Sequence, residues 1–553
     1  MRRRTPTLLC TAAAAVALFG TAACGGSDVK SSSSAGTGGT LTIQGDAGNP
    51  TLVENFNPFA STALHGQFLM YEPLEIPSPI DGTYTPFLAT GYKFTNPTTL
   101  VYTLRPNVKW SDGQAFSVTD VTFTFNLLKK FPALDTRGIW AQVASVSGAG
   151  NTFTVTFKQP NVPFAAQVAQ VPIVPAHVWS SVADPVKYTD TKPVVTGPFT
   201  LDTFAPTQYK LKKNPNYWQA NKVSPSEVAF PAQASNQTTN QLDVTSGKFD
   251  WAYTFIPDVK NTYVNRDSAH NTYWFPPGGT IGLFLNLTKA PYDNASFRKG
   301  VSESLNRTTI AQKAVNGYLD QASMSGLILP NLQKWLDPSI PNSGLITQSS
   351  SQAQQDFAAA GYHLTGGKLV GSNGKQATMT IVLPGNFSDW VAAAKEVATE
   401  LGQAGIKVSL DLPQYAQYAT ATQGGTFDAA MGGFGGSGDP YTDFNNGLNS
   451  SFATPVKTPT VNNFERFKDP AVDQALGTLA GATDPSSAQK ATFALEQVMY
   501  NQVPVVLLYY GGSWGLFRDN HFTGWPSAQD PYTLPTNYTN AMLVVATHLK
   551  SVS

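Results

Sequence analysis

One string near the C-terminal end matches the pattern that surrounds the nucleophile of many hydrolases. Residues 511–515 read Gly-Gly-Ser-Trp-Gly and follow an apolar stretch, Val503–Tyr510, that predicts a strand. In G-x-S-x-G hydrolases the serine stands on a sharp turn, with a helix behind it and with an acidic residue and a histidine later in the chain. Only about forty residues follow Ser513, and they show no apolar helical period. We therefore predict a glycine-rich turn and keep a secreted serine hydrolase using Ser513 as a remote alternative.

A second glycine-rich string, residues 433–438, fits the G-x-G-x-x-G pattern of dinucleotide-binding loops. It follows an apolar stretch, Phe427–Met431, that predicts a short buried strand. A dinucleotide site requires that the loop open a helix whose N-terminus holds the pyrophosphate. Asp439 and Pro440 come next, and no helix is evident after them. The sequence therefore predicts a flexible glycine loop beside a ligand cleft, and no cofactor.

The residue types that usually bind metals are sparse and scattered. No two histidines have helical metal-binding spacing, and no acidic calcium loop occurs; the six histidines are His65, His177, His270, His363, His521 and His548. Of the two cysteines, Cys10 lies in a predicted signal segment, which leaves Cys24 alone. A disulfide, a cysteine-bound metal or a thiol nucleophile is therefore excluded from the folded body, and no metal is predicted.

Residues 101–125 give the clearest signals for the strands and helices that would position a site. The first residues of this segment alternate between apolar and polar, as in a half-buried strand, and Asp112-Gly113 is a strong turn signal. Ser117 and Asp120 have the spacing of a helix capping box. The segment therefore predicts a strand, a turn and a helix in succession.

The same segment resembles a signature of the extracytoplasmic solute-binding proteins of family 5, which feed peptide-type ABC importers. The strings that match are Leu104-Arg105, Trp110-Ser111-Asp112-Gly113 and Asp120-Val121. Further landmarks of the family occur in order along nearly the whole mature chain, among them Asn57-Pro58-Phe59, Tyr71-Glu72-Pro73-Leu74 and Lys213-Asn214-Pro215. The resemblance implies an α/β, bilobed, periplasmic-binding-protein-like fold (type II, with an extra inserted domain) whose lobes are joined by strand hinges.

The resemblance also implies a binding function in which no covalent bond is made or broken. The chain would capture a peptide-like solute between its lobes and deliver it to an ABC permease and ATPase complex, and it would not be an enzyme. One alternative is an oligosaccharide or another uncharged solute for the same type of importer, and another is a sensory or chaperone-like protein that presents peptides without transport. The 36 basic and 36 acidic residues form no basic stripe, so no nucleic-acid partner is expected.

Several domains are expected in a chain of 553 residues. From the family we expect a signal peptide at 1–23, a lipid-anchored flexible tether at 24–39, a discontinuous lobe I at 40–80, 190–275 and 510–553, an inserted domain II at 81–189 and a lobe III at 276–509. Crossings near residues 275–285 and 503–512 would form the hinge. Within lobe III, apolar patterns predict a strand–helix–strand unit and a further helix capped by Asp293; the unit comprises Met379–Leu383, Ser388–Ala404 and Ile406–Leu412.

The candidate ligand residues are aromatic, glycine and polar side chains in segments that reach the interlobe face in the family. Aromatic rings offer large contact area to variable ligands, and Gly278-Gly279-Thr280 would leave backbone groups open to pair with an extended ligand. The candidates are Tyr253, Trp274, Gly278, Gly279, Tyr415, Phe434, Gly436, Asp439 and Tyr510.

One position departs from the pattern of the peptide binders. They commonly place an aspartate in the loop before the final Asp-Pro, where it pairs with the α-amino group of the ligand. Alignment on Asp439-Pro440 puts Gly436 at that position, and Asp439 would then structure the loop. A free ammonium group would lose its charged partner, so the ligand is either a peptide held differently or an uncharged solute such as an oligosaccharide.

The N-terminus predicts export and a lipid anchor. Three arginines precede a short apolar run, Leu8–Phe19, and Thr21-Ala22-Ala23-Cys24 resembles a bacterial lipobox with Thr21 where Leu or Val is preferred. The run is too short to span a bilayer stably, and the Gly/Ser-rich residues 25–39 resemble a flexible tether. Charged residues make up only 13% of the chain. The protein is therefore expected outside the cytoplasm, held by Cys24 on the outer face of the bacterial cell membrane.

Replacing the anchor should release the protein. In Cys24→Ser the residue that would carry the lipid is lost, so we expect the protein in the culture medium with its ligand binding unchanged. Immunoblots of the membrane and medium fractions check this. Retention of the Cys24→Ser protein in the membrane fraction would show that Cys24 is not the anchor.

Overall fold

The computed structural model describes residues 38–46, 49–234 and 236–552. Cys24, the predicted signal peptide and most of the predicted tether lie outside these residues. Gly38 and Gly39, predicted as the end of the tether, instead pack on the folded body, where Gly39 O accepts a hydrogen bond from Ser226 N at 3.1 Å. In the described ranges, no helix combines the length and the apolarity needed to cross a bilayer.

The described residues form a mixed α/β structure. Its strands are β1 (Thr40–Thr42), β2 (Glu75–Pro77), β3 (Tyr84–Pro86), β4 (Ala89–Asn96), β5 (Thr99–Leu104), β6 (Val143–Ala149), β7 (Thr152–Phe157), β8 (Phe199–Ala205), β9 (Gln208–Lys213), β10 (Glu227–Pro231), β11 (Trp251–Tyr253), β12 (Asn271–Trp274), β13 (Pro277–Leu285), β14 (Tyr362–Thr365), β15 (Lys368–Gly371), β16 (Thr378–Val382), β17 (Lys407–Asp411), β18 (Ala429–Phe434), β19 (Val505–Gly512), β20 (Gly515–Arg518), β21 (Phe522–Thr523) and β22 (Lys550–Ser551). Its α-helices are α1 (Val118–Lys130), α2 (Ile139–Gln142), α3 (Ala165–Ala169), α4 (Ala176–Trp179), α5 (Gln237–Thr245), α6 (Val259–Thr262), α7 (Ala295–Glu303), α8 (Arg307–Val315), α9 (Ser350–Ala359), α10 (Ser388–Gln403), α11 (Tyr415–Gly424), α12 (Pro440–Leu448), α13 (Pro470–Gly481), α14 (Pro485–Gln502) and α15 (Ala541–Ala546).

The first lobe is built on two four-stranded sheets that share one hydrophobic core. One sheet has the order β1-β10-β9-β8 and the other β4-β5-β7-β6. Buried side chains from both sheets, including Leu41, Tyr102, Phe153 and Phe230, belong to a single contiguous cluster. The second sheet lies in the predicted inserted domain, so that region and the rest of the first lobe are packed as one body.

The second lobe has its own core around a five-stranded sheet of order β17-β16-β18-β13-β19. Strands β16 and β17 are parallel and are joined by α10, as the sequence predicted. Gly405 after this helix has φ +88°, which suits a glycine at a helix C-terminus. The β1-β10-β9-β8 sheet lies in segments predicted for lobe I and the β4-β5-β7-β6 sheet in the segment predicted for domain II, whereas β19 extends beyond the predicted end of lobe III at residue 509. The domain boundaries stay a prediction.

Two adjacent segments carry the chain between the lobes. Strands β13 and β19 pair antiparallel in the second lobe. Their neighbours β12 and β20 pair antiparallel in a separate three-stranded sheet, of order β11-β20-β12. Aromatic rings pack at the crossing: Phe275 lies 5.1 Å from Trp514 and 5.4 Å from Tyr318, between ring centroids. The lobes are thus connected by paired strands braced by an aromatic cluster.

Local helix signals were mostly correct. Ser117 Oγ accepts a hydrogen bond from Thr119 N, and Asp120 Oδ2 accepts one from Ser117 N, so the predicted capping box forms at α1. The predicted cap of α7 is wrong by one residue. Asn294, and not Asp293, accepts hydrogen bonds from the first-turn amides of α7.

Both cores contain carboxyl groups whose pKa is higher than it would be in water, because burial disfavours the charged form. Burial raises the pKa of Glu465 and of Glu496 to about 8. Burial likewise raises the pKa of Glu72 and of Glu75 to about 7. A pKa raised by folding means that the folded state binds the proton more tightly than the unfolded state, so stability is greatest at low pH and is lost as pH rises through the folded pKa.

We therefore expect the free energy of unfolding to increase when pH falls from 8.5 to 5.5. Glu465 is fully buried, and neither of its carboxylate oxygens has a hydrogen-bond partner among the described residues. Glu465→Gln, which removes the charge, should stabilise the protein at pH 8.5 by roughly 1 kcal/mol or more and flatten the pH dependence. Urea unfolding at both pH values measures this. Glu54→Gln, at a partly exposed site, is the control, and an equal effect of both variants would contradict the argument.

Candidate functional site

A deep cleft separates the two lobes, and it consists of two adjoining cavities. The floor cavity has a volume of about 450 Å³ and lies against the crossing strands. The outer cavity, of about 1150 Å³, lies between the helical segments of the first lobe and α12 of the second. They share the lining residues Gln167, Gln170, Thr442, Tyr538 and Asn540. The cleft is therefore continuous and long enough for an extended solute.

Glycines from three chain segments form much of the floor of the cleft. Gly278 and Gly279 at the start of β13, Gly511 and Gly512 at the end of β19, and Gly436 after β18 all line the floor cavity. A Cβ atom on Gly278 would lie 2.3 Å from Ser513 Oγ, and one on Gly436 would lie 2.4 Å from Gly278 O. Side chains at these two glycines are excluded because a backbone oxygen fills the space at Gly436 and the Ser513 hydroxyl fills it at Gly278.

A helix follows the glycine loop, so the prediction that none would do so is wrong. The helix α12 begins at Pro440, and Asp439 caps it by accepting hydrogen bonds from Thr442 N and Thr442 Oγ1 at 3.0 and 2.7 Å. Asp443 accepts hydrogen bonds from Gly436 N and Ser437 N at 3.1 and 3.0 Å, and burial raises its pKa to about 6. The loop amides that would hold a pyrophosphate are thus already bound to a carboxylate.

Gly436 cannot be replaced by an aspartate without rebuilding the floor. Its φ is +107°, a conformation that side-chain-bearing residues rarely adopt. Together with the contact of its missing Cβ on Gly278 O, this leaves no space for a side chain. The cleft therefore lacks a carboxylate at this position for steric reasons as well as by composition.

The predicted open strand edge is also wrong in part. Thr280 pairs with Phe434 of β18 on one side and with Tyr510 of β19 on the other, and Gly279 pairs with Gly511. Strand β13 is therefore an inner strand of the five-stranded sheet, and its backbone groups at Thr280 are not available to an added ligand strand.

One wall carries two tyrosines and a histidine. The rings of Tyr253 and Tyr538 meet edge to face with centroids 5.1 Å apart, and Tyr538 is 40% exposed to the cleft. The ring of His65 lies 6.1 Å from that of Tyr538. Asp46 N donates to His65 Nδ1 at 3.1 Å, so in the neutral ring Nε2 carries the proton. Burial raises the pKa of Tyr253, which keeps its hydroxyl a hydrogen-bond donor.

The other walls are dense in amide side chains that sequence reasoning missed. They come from α3 and the turn after it, from α12 and its end, and from the segment before α15; they are Gln167, Gln170, Asn445, Asn446, Asn449 and Asn540. The only signal in the sequence was the amide-rich string around residues 445–449. Amides donate and accept at once, so this lining suits a ligand rich in hydroxyl or amide groups.

The candidate residues divide into two groups. Tyr253, Gly278, Gly279, Gly436 and Asp439 line the floor cavity together.

The other four candidates are not among the residues that line the cleft. Phe434 is buried against Phe444, and the Tyr510 hydroxyl accepts a hydrogen bond from Leu329 N inside the second lobe. Tyr415 is 57% exposed at the start of α11, and Trp274 packs against the first core. The expected stacking of Phe434 on a ligand has no support in this geometry.

The described residues complete neither the serine hydrolase motif at Ser513 nor a metal site. Ser513 lies in a turn between β19 and β20 and is only 2% exposed. The element behind it is the strand that begins at Gly515 and not a helix, so the geometry of a nucleophile elbow does not form. Within the described ranges, no three His, Cys, Asp or Glu side chains lie together as metal ligands would.

Known proteins match both the sequence and the fold. Residues 83–455 match the model of bacterial extracellular solute-binding proteins, family 5. A peptidoglycan-binding protein, YepA, of Agrobacterium fabrum is 24% identical over 474 residues, which are 75% of this chain and 74% of that protein. A probable peptide-binding protein of the same organism, YejA, is 24% identical over 464 residues, 74% of each chain.

Solved structures share the architecture. A periplasmic oligopeptide-binding protein of an ABC transporter from Thermotoga maritima superposes with a TM-score of 0.84 at 23% identity, over 93% of this chain and 99% of that one. A mannohexaose-bound structure from the same organism gives a TM-score of 0.77, also at 23% identity, over 93% of this chain and 98% of that one. The predicted α/β, bilobed, periplasmic-binding-protein-like fold is confirmed.

The backbone floor yields a stability prediction. Gly436→Ala should destabilise the protein by about 1–3 kcal/mol, because the new Cβ meets Gly278 O and the backbone must keep a positive φ. Gly433→Ala is the matched control, since a Cβ there meets nothing within 4 Å. Urea unfolding of both variants tests this. Equal stability of the two would mean that the floor can adjust to a side chain.

Proposed function

Because this chain belongs to the family of bacterial extracellular solute-binding proteins, family 5, we propose that it is the solute-binding component of an ABC importer whose cleft captures an extended, uncharged, hydroxyl-rich solute such as an oligosaccharide. Members of this family bind small solutes and deliver them to a permease and ATPase complex. The observation that carries the proposal on the solute is the cleft itself, which has a glycine-rich floor and amide-lined walls.

Two devices that would favour a peptide are missing from the described cleft. Gly436 leaves no carboxylate for a ligand ammonium group, and burying an unpaired ammonium would cost several kcal/mol. Thr280 is paired on both sides, so an extended peptide cannot add to β13 there. Amide side chains and the exposed ring of Tyr538 suit sugar hydroxyls and sugar faces instead.

A peptide-like solute is the second candidate. It is favoured by the names of the relatives, several of which are peptide-binding proteins, and by the same amide side chains, which also bond to peptide groups. Such a peptide would have to be held without an ion pair at its N-terminus. A binder of this kind would treat free and acetylated peptides alike.

Closure of the lobes would be the working motion. In this structure the lobes touch at the edge of the cleft, where Lys334 Nζ donates to Asp81 O at 2.9 Å and Gly438 lies against Pro79. A solute that contacts both walls would favour this arrangement over an open one. Release to the permease would require these contacts to separate.

The anchor and the partners complete the proposal. Cys24 would carry the lipid and hold the protein on the outer face of the cell membrane, joined to the folded body by the proposed tether that follows it. The permease and its ATPase would be the macromolecular partners. Gly38 and Gly39, which pack on the first lobe, would mark where the tether meets the folded body.

Calorimetric titration with mannohexaose, cellohexaose and alanine hexapeptide in free and N-acetylated forms tests the solute class. We expect a neutral hexasaccharide to bind and to reduce the radius of gyration measured by X-ray scattering, and the two peptide forms to bind equally or not at all. Asn446→Ala should weaken the bound solute about 3–10-fold, as expected for one lost hydrogen bond. Asn386→Ala, on an exposed loop outside the cleft, is the control.

A clear preference for the free amine over the acetylated peptide would contradict the proposal on the solute. It would show that another acid, Asp439 or Asp443 first, pairs with the ammonium group. An unchanged scattering profile at saturating solute would remove the support for closure.

A further inference from the structure

The outer cavity contains a guanidinium group that has no acidic partner among the described residues. Arg137 lies on the turn between α1 and α2 and is half-buried in the cavity wall. Its one hydrogen bond joins Nη1 to Gln167 Oε1 at 3.2 Å. Burial lowers the pKa of Arg137 to about 10, so the group keeps its charge at neutral pH. A charged group that is partly desolvated without a counter-ion is costly unless a partner arrives.

The nearest acid in the sequence is already occupied. Both oxygens of Asp135 accept hydrogen bonds at the start of α2, Oδ1 from Ile139 N and Oδ2 from Trp140 N, each at 2.8 Å. The remaining side chains of the outer cavity are amides, hydroxyls, apolar groups and His65. Arg137 therefore has no direct ion-pair partner among the described residues that line this cavity.

We propose that Arg137 binds a carboxylate of the solute, which refines the uncharged solute proposed above to one that is neutral along its length and has a single acidic group. This inference rests on the proposed function, since it assigns a further recognition element within the same cleft. Arg137 reaches the cavity from the first lobe, opposite the asparagines of α12 in the second. A carboxylate held there would be enclosed when the lobes meet.

A carboxylate fits this site better than a phosphate monoester does. The planar guanidinium fork matches the two oxygens of a carboxylate, and one positive charge balances one negative charge. A phosphate monoester carries nearly two charges at neutral pH, and the outer cavity offers no second fixed cation. The carboxylate can come from an acidic sugar or from the C-terminus of a peptide, and both sources share the chemistry that Arg137 recognises.

Matched pairs of probes separate the charge from the rest of the solute. One pair is a neutral oligosaccharide that ends in a single glucuronic acid and the methyl ester of that acid, and the other is N-acetyl hexaalanine with a free carboxyl terminus and with a terminal amide. We expect the wild-type protein to bind the carboxylate member of one pair at least tenfold more tightly than its neutral partner. Which pair shows this preference identifies the acidic sugar or the peptide terminus as the source.

Three variants tie the preference to the residue. Arg137→Gln should reduce the preference to about onefold, and Arg137→Lys, which keeps the charge, should retain part of it. Arg266→Gln removes an exposed arginine outside the cleft and should leave the preference unchanged. Thermal unfolding of each variant verifies that the fold is intact.

The two levels of the proposal can fail separately. Equal binding within both pairs by the wild-type protein, or a preference that survives in Arg137→Gln, overturns the role of Arg137 and leaves the proposed function standing. If the wild-type protein binds none of these probes and no neutral hexasaccharide, the proposed function fails and the role of Arg137 fails with it.

Discussion

Close packing around two glycines at the base of the cleft fixes how the chain segments that cross there lie together. A Cβ on Gly436 would meet Gly278 O, and one on Gly278 would meet Ser513 Oγ, so neither position has space for a side chain. Because β13 and β19 are held this closely, the chain can cross between the lobes as a pair of strands. The aromatic cluster around Phe275 and Trp514 braces the crossing from the other side. The floor is thus tightly packed, and its glycines offer a ligand no side-chain groups.

Because the floor is rich in glycine, most of the side chains that can recognise a ligand come from the walls of the cleft. The walls bring amides from α3, from α12 and from the segment before α15 to one space, although these segments are about 90 to 370 residues apart in the sequence. Only where the two lobes face each other can a solute touch both sets of amides. The same arrangement links binding to lobe closure, since neither wall alone offers a complete set of partners.

The sequence was informative where one short string determines a local structure. Three predictions of this kind were confirmed. They are the capping box at Ser117, the strand–helix–strand unit whose helix ends before Gly405, and the family signature in residues 101–125. It failed where tertiary packing decides. Strand alternation could not tell which face of β18 or β19 is the cleft, so Phe434 and Tyr510 were misplaced.

The shared core of the first lobe has a mechanical meaning. Side chains of the β4-β5-β7-β6 sheet and of the β1-β10-β9-β8 sheet pack in one cluster, while the second lobe has a separate one. These three sheets therefore form only two rigid bodies. A solute that contacts the β4-β5-β7-β6 sheet would move the first lobe as a whole, and the motion would be concentrated at the crossing strands.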